Sequence, residues 1–244
     1  MSHQIISLGG SCDVADQLKR HKIHKDRPTL FFDYLWNEVD GLKGVSRIIK
    51  NGFEAMENPA NHTRTVEHPI SIYKNRPFSI CMEYPNIVFM HHNTIEKATM
   101  DSIKRKISRT KEAFESTDPK TFIYYRHYHW DFNLVDDLSI ILEESRDFCK
   151  VYRDVYGICG CGDKGVRSSV DFKLVSLVVY RHDTDPNVIK REMQELDRLF
   201  CESCGGEPIR FGYVFRKDEK ITESVKKHEE SWDKVINMVL EQKK

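Results

Sequence analysis

Apolar positions along this chain fall into two kinds of run. Short runs rich in β-branched and aromatic residues occur at 5–8, 87–90, 121–125, 174–180 and 209–215, and each reads as a strand. Leu174-Val175-Ser176-Leu177-Val178-Val179-Tyr180 is nearly continuous in apolar residues, as a central strand covered on both faces requires. Between the strands, apolar residues recur with helical spacing over 13–21, 41–51, 95–114, 136–149, 186–200 and 221–240. Asp185 ahead of Pro186 is a helix-start signal. In the last period Val225, Trp232, Val235, Ile236, Val239 and Leu240 make a stripe spaced for core packing.

Strands separated by helices predict an α/β fold: a mostly parallel central sheet of about five strands covered by helices. No repeat or low-complexity tract divides the chain, so residues 1–244 are expected to form a single domain. Two stretches stand outside the periodic pattern. Residues 52–80, with Asn58-Pro59 and several histidines, read as a long excursion over the surface. Residues 154–172, with Gly157, Gly160, Gly162 and Gly165, read as a loop.

Composition narrows the function classes. Hydrophobic residues are 39% and charged residues 31% of 244, which suits a globular core and argues against disorder. Lysine plus arginine equals aspartate plus glutamate at 38 each, so no global field draws nucleic acid or an acidic membrane. The basic cluster Lys104-Arg105-Lys106, with Arg109 and Lys111, shares its helical period with Asp101 and Glu112 and reads as a solvated face. No segment approaches the about 20 apolar residues of a membrane span. Ser2-His3-Gln4 leads straight into a strand without a signal-peptide pattern. The expectation is a cytoplasmic protein, whose seven cysteines serve as thiols or ligands rather than disulfides.

The densest chemical signal lies where the first strand meets the first helix. Gly9-Gly10-Ser11-Cys12 makes a sharp strand-to-helix turn, a place where glycine supplies backbone room. Cys12 falls at the helix N-terminus, where free N–H groups and the macrodipole favour a thiolate. Nucleophile elbows use the same strand–turn–helix logic. Glycines in such a position also serve as ordinary connectors, and Asp13 beside Cys12 would raise the thiol pKa. The turn lacks the remaining glycine and the lysine of a phosphate-binding loop, which disfavours a nucleotide-type enzyme.

Ser7-Leu8-Gly9-Gly10-Ser11-Cys12-Asp13-Val14-Ala15, Phe31-Phe32-Asp33-Tyr34-Leu35-Trp36 and Ile87-Val88-Phe89-Met90-His91-His92-Asn93 occur in that order, followed by Phe122-Ile123-Tyr124-Tyr125-Arg126. In this combination the sequence resembles a family of putative papain-like cysteine peptidases found in bacteria and large DNA viruses. The resemblance spans about residues 4–130, with looser agreement to the Trp232 region. It departs from the family pattern in three places: no proline precedes Phe32-Asp33, Tyr34 stands for tryptophan, and Asn93 stands for an acid. The resemblance implies a cytoplasmic hydrolase, in the host cytoplasm if the protein is viral. Its substrate would be a protein or peptide, and the bond cleaved a peptide, isopeptide or related amide bond.

Such chemistry needs a thiolate, a base and a group that orients the base. Cys12 is the candidate nucleophile. His92, then His91, is the candidate base, because adjacent strand residues face opposite ways and only one can meet Cys12. Asp33, Asn93 and Asp131, in that order, are candidates to orient it; Asp33 reads equally well as a helix cap or buried acceptor. Strand alternation puts His127, His129 and Asp131 on one face, to line the same crevice or bind a metal. Arg126 is a candidate for a substrate carboxylate or a partner for an internal acid. No cofactor is implied. Cys159, Cys161, Cys201 and Cys204 could together hold a structural zinc, although Cys-x-Cys is not the usual knuckle. Cys81 and Cys149 read as small buried residues. The competing reading is a catalytically inactive α/β scaffold that serves as a protein-interaction module.

Overall fold

The computed structural model describes residues 3–23, 28–37, 39–66, 77–127, 138–157, 171–203 and 208–241. Its strands are β1 (Gln4–Ser7), β2 (His62–Thr65), β3 (Phe78–Cys81), β4 (Tyr84–Phe89), β5 (Lys120–His127), β6 (Phe172–Tyr180) and β7 (Ile209–Phe215). The helices are α1 (Asp13–Arg20), α2 (Gly41–Lys50), α3 (Glu54–Glu57), α4 (Lys97–Glu115), α5 (Leu138–Tyr156), α6 (Pro186–Ser203) and α7 (Thr222–Glu241). The α/β class follows the hydrophobic pattern. At the start of α6, Asp185 caps as expected, its Oδ1 accepting the Asn187 N–H at 2.8 Å.

β1, β5, β6 and β7 form a parallel sheet in the order β1-β5-β6-β7. Alternation along each strand sends side chains to two faces. Ile5, Ile123, Tyr125, Val175, Leu177 and Val179 meet Val14 and Leu18 of α1 and Trp232, Val235, Ile236 and Val239 of α7. The opposite face, with Ile6, Phe122, Tyr124 and Leu174, packs on α2, α4 and α5, and Val178 and Tyr180 extend it to α6. The sheet is thus buried on both faces, and this explains the unbroken apolar run in β6. No described helix is long and apolar enough to cross a membrane.

One strand differs from expectation. The run at 87–90 joins β4, which belongs to a separate antiparallel sheet of order β2-β3-β4. The parallel sheet therefore has four strands among the described residues. The stretch 52–80 carries α3, β2 and most of β3 in its described part, with Phe53, Met56 and Phe78 buried. Pairing partners are distant in sequence here, so local periodicity does not reveal to which sheet a strand belongs.

The two sheets meet beside β1. Trp36 and Val88 exchange both backbone hydrogen bonds, at 3.1 and 2.8 Å, extending the small sheet by one residue pair. The next residue, Asn37, is fully buried against the β1–α1 turn.

Candidate active site

The parallel pairing of β1 with β5 aligns Ser7 with Ile123, so the chain leaving β1 passes the end of β5. Gly9 and Gly10 have φ of +87° and +95°, a region open to glycine at little cost. A Cβ on Gly10 would run into the Tyr125 carbonyl. The Gly10 N–H donates to Asn37 Oδ1 at 2.5 Å, and Asn37 Nδ2 donates to the Gly41 carbonyl at 3.1 Å. Cys12 then begins α1, its carbonyl accepting the Asp16 N–H at 3.0 Å.

The charges around Cys12 oppose the helix dipole. Burial, then the carboxylates of Asp13 and Asp16, push the thiol pKa up to about 12; the Cys12 N–H, turned to its own sulfur, pulls the other way. Asp16 lies one helical turn on from Cys12, and its carboxylate raises the thiol while the charge of His91 lowers that same carboxylate. Asp16 is itself raised by burial and by Asp13, against the pull of Lys19 and His91. A helix N-terminus lowers a thiol pKa when no acid occupies its first turn. Here burial, joined by two acids, outweighs the dipole and the sign reverses.

Imidazoles approach from two directions. The His91 ring stands edge-on to Trp36 with centroids 6.2 Å apart, so the Trp36–Val88 pairing sets its position. On the β5 side, the Tyr125 hydroxyl donates to Asp13 Oδ2 at 2.9 Å and accepts from His127 Nε2 at 3.1 Å. Asp16, Asn37 and Tyr125 were not singled out as site residues from sequence. Only Asp16 carried a signal, because positions i and i+4 share a helix face with Cys12.

The remaining candidates are placed as follows. His92 turns to α4, its Nε2 lying 3.5 Å from Lys106 Nζ. Asp33 is buried; its Oδ2 accepts the Leu30 N–H at 2.7 Å and its charge acts on Lys106. Asp33 therefore caps the 3-10 turn Phe31–Tyr34 by accepting the Leu30 N–H, and its charge acts on the same Lys106 that lies beside His92. Asn93 Nδ2 donates to Glu96 Oε1 at 2.5 Å, at the start of α4. Arg126 pairs with Glu144 inside the protein, at 3.2 Å. Cys81 and Cys149 are buried, and Cys201 is exposed on α6. His129, Asp131, Cys159, Cys161 and Cys204 lie outside the described residues. Among the described residues, no group of three or more histidine, cysteine or acidic side chains is arranged to hold a metal ion.

The model of the family described as putative papain-like cysteine peptidase (DUF1796) matches residues 3–147, more than half the chain. This chain belongs to that family. No curated protein and no solved structure matches it. The family segment runs from β1 into α5 and contains Cys12, Asp16, Asn37, His91, Tyr125 and His127. In this family member β6, α6, β7 and α7 lie beyond the matched segment.

His92 carries a stability prediction. Burial, Lys106 and His91 lower its pKa to about 4, against about 6.5 in an unfolded chain. Between these values the unfolded state binds the extra proton, so stability falls as pH drops from about 6.5 toward 4. Below that the loss levels off, at a size on the order of 2 kcal/mol once solvent screening of the half-buried ring is allowed for. His92→Gln should flatten this acid limb in urea unfolding curves recorded from pH 7 to 4; an unchanged limb would contradict the assignment.

Proposed function

We propose that this chain is a thiol hydrolase of the papain-like type, acting on a peptide, isopeptide or related amide bond, with Cys12 as nucleophile and His91 as base. The observation that supports this reading is one carboxylate, Asp16, a helical turn on from Cys12, which is coupled electrostatically to both the thiol and His91. The proton on Cys12 Sγ moves to Asp16 and from there to His91, leaving a thiolate and an imidazolium. The thiolate attacks the scissile carbonyl. The oxyanion is received by N–H groups at the start of α1, of which that of Ser11 has no partner among the described residues. The imidazolium then protonates the leaving amine, and water attacks the thioester to release the acid and restore the thiol. Tyr125 holds Asp13 by a hydrogen bond on the flank of the site.

A second reading, an inactive scaffold that binds other proteins, is favoured by one observation. A thiol with a pKa near 12 is almost wholly protonated at neutral pH. The two readings separate on Asp16→Asn. Removing that charge raises the thiolate fraction, so alkylation of Cys12 by iodoacetamide at pH 8 should accelerate by about tenfold for each unit of pKa lost. In a hydrolase the same variant loses the proton path, so its cleavage of a quenched-fluorescent peptide library should fall while labelling rises. His91→Gln should abolish cleavage, and His92→Gln should leave it in place. A wild-type protein that cleaves nothing, while Asp16→Asn labels faster, would establish the scaffold reading instead.

A further inference from the structure

The far edge of the parallel sheet holds a groove that the hydrolase reading does not use. β7 is the last strand in the sheet order, and its pairing with β6 turns alternate residues outward. Arg216 N–H bonds the Tyr180 carbonyl and Leu174 N–H bonds the Pro208 carbonyl, so even-numbered residues face β6. Ile209, Phe211, Tyr213 and Phe215 present their main-chain groups to the open side.

At one end α7 satisfies these groups. Ser231 Oγ accepts the Phe215 N–H at 3.1 Å, and the His228 Nδ1–H donates to the Phe215 carbonyl at 2.6 Å. Gln17 fixes this His228 tautomer by donating to its Nε2 at 3.1 Å. At Phe211 and Tyr213 the outward N–H and C=O groups have no partner among the described residues. A groove of about 340 Å³ runs along them, with β7 as its floor, Met193 and Asp197 of α6 on one wall, and Lys234 and Met238 of α7 on the other.

Unpaired main-chain groups along an apolar groove are costly to leave unmet and make a template for another strand. We propose that this groove binds an extended peptide segment of a partner protein, added to β7 as a further strand. Main-chain bonds to Phe211 and Tyr213 would supply affinity and the walls would supply selection. The wall charges define the partner's chemistry. Lys227 and Glu230 also line the groove but pair with Glu223 and Lys226 on α7, whereas Asp197 and Lys234 have no partner among the described residues. Neighbouring residues of a strand point to opposite walls. The segment therefore carries apolar residues with a basic side chain toward α6 and an acidic one toward α7. A second copy of this chain fits poorly, because its own β7 is recessed between its own α6 and α7.

The test uses the full chain and a fluorescein-labelled heptapeptide, Thr-Lys-Val-Val-Glu-Val-Thr, in which Lys and Glu fall on opposite faces. Binding is read by anisotropy and by hydrogen exchange at the Phe211 and Tyr213 amides, both of which should become protected. Two further peptides carry N-methyl groups on alternate residues, in opposite phases. Only the phase whose N–H groups meet β7 should lose binding. Asp197→Lys, a surface change, should weaken the unmodified peptide by about tenfold, since like charges then face each other. Absent binding at millimolar peptide, equal binding of both N-methyl phases, or an unchanged affinity in Asp197→Lys would overturn the proposal. So would concentration-dependent dimerisation that protects the same amides without peptide. None of these readouts depends on Cys12, so the proposal and the hydrolase reading fail separately.

Discussion

Arg126→Leu is expected to lower the unfolding free energy by about 3–5 kcal/mol, the usual result of breaking a buried ion pair on one side. Arg126 and Glu144 are 3% and 4% exposed and 3.2 Å apart. The other Glu144 oxygen accepts the Leu42 N–H at 3.3 Å, at the start of α2. The pair thus ties β5, α5 and α2 together. Burial raises the Glu144 pKa even with Arg126 opposing it. Without the guanidinium it rises further, and the folded state can avoid a bare charge only by taking up a proton. The cost should therefore shrink as pH falls from 8 toward 5, because protonation then favours the folded variant. Arg126→Leu combined with Glu144→Leu should recover most of the loss, since no unpaired charge remains. Urea unfolding of the wild type and the two variants at two pH values checks this. A role for Arg126 in holding a substrate carboxylate would instead leave stability intact and raise KM.

Gly10→Ala is the second large effect, with an expected cost of about 2–5 kcal/mol from a strained positive φ and an overpacked contact. The new methyl meets the Tyr125 main chain, which the β5 pairing holds in place and which cannot swing aside. The turn would have to back away from β5, breaking the Gly10–Asn37 bond and displacing Cys12 from Asp16. Thermal melts should show the destabilisation, and iodoacetamide mapping should show altered Cys12 reactivity in whatever fraction folds. Asn37→Ala should produce a weaker form of the same effect, about 1–3 kcal/mol, by leaving the buried Gly10 N–H unmet. A Gly10→Ala protein with wild-type stability would mean that the turn has another conformation.

The sequence carries these features to different degrees. The glycine pair was legible as a tight turn because its demand is local: two positive φ values in succession allow little else. Runs in β1, β5, β6 and β7 were legible because both faces of the sheet are buried. β2, with His62-Thr63-Arg64-Thr65, was not, since its signal lies in pairing with β3 rather than in apolar alternation. Asp33 could be read as a cap or as an acid orienting a base, but not assigned to one of them, because the cap depends on a 3-10 turn no periodicity announces. Of the adjacent pair, His92 ranked ahead of His91 from sequence, by its place beside Asn93. Packing separates them: Trp36 takes the first, and Lys106 the second.

Along the chain alone, periodicity and turn chemistry determined an α/β fold and a cysteine at the head of the first helix, since both arise from interactions a few residues long. Tertiary structure decided which strands share a sheet, which of the two histidines packs on Trp36 and which lies beside Lys106, and in which direction the thiol pKa moves. Those outcomes depend on distances between groups far apart in sequence. Coulomb interactions and desolvation act through space, and only the folded chain sets the space between them.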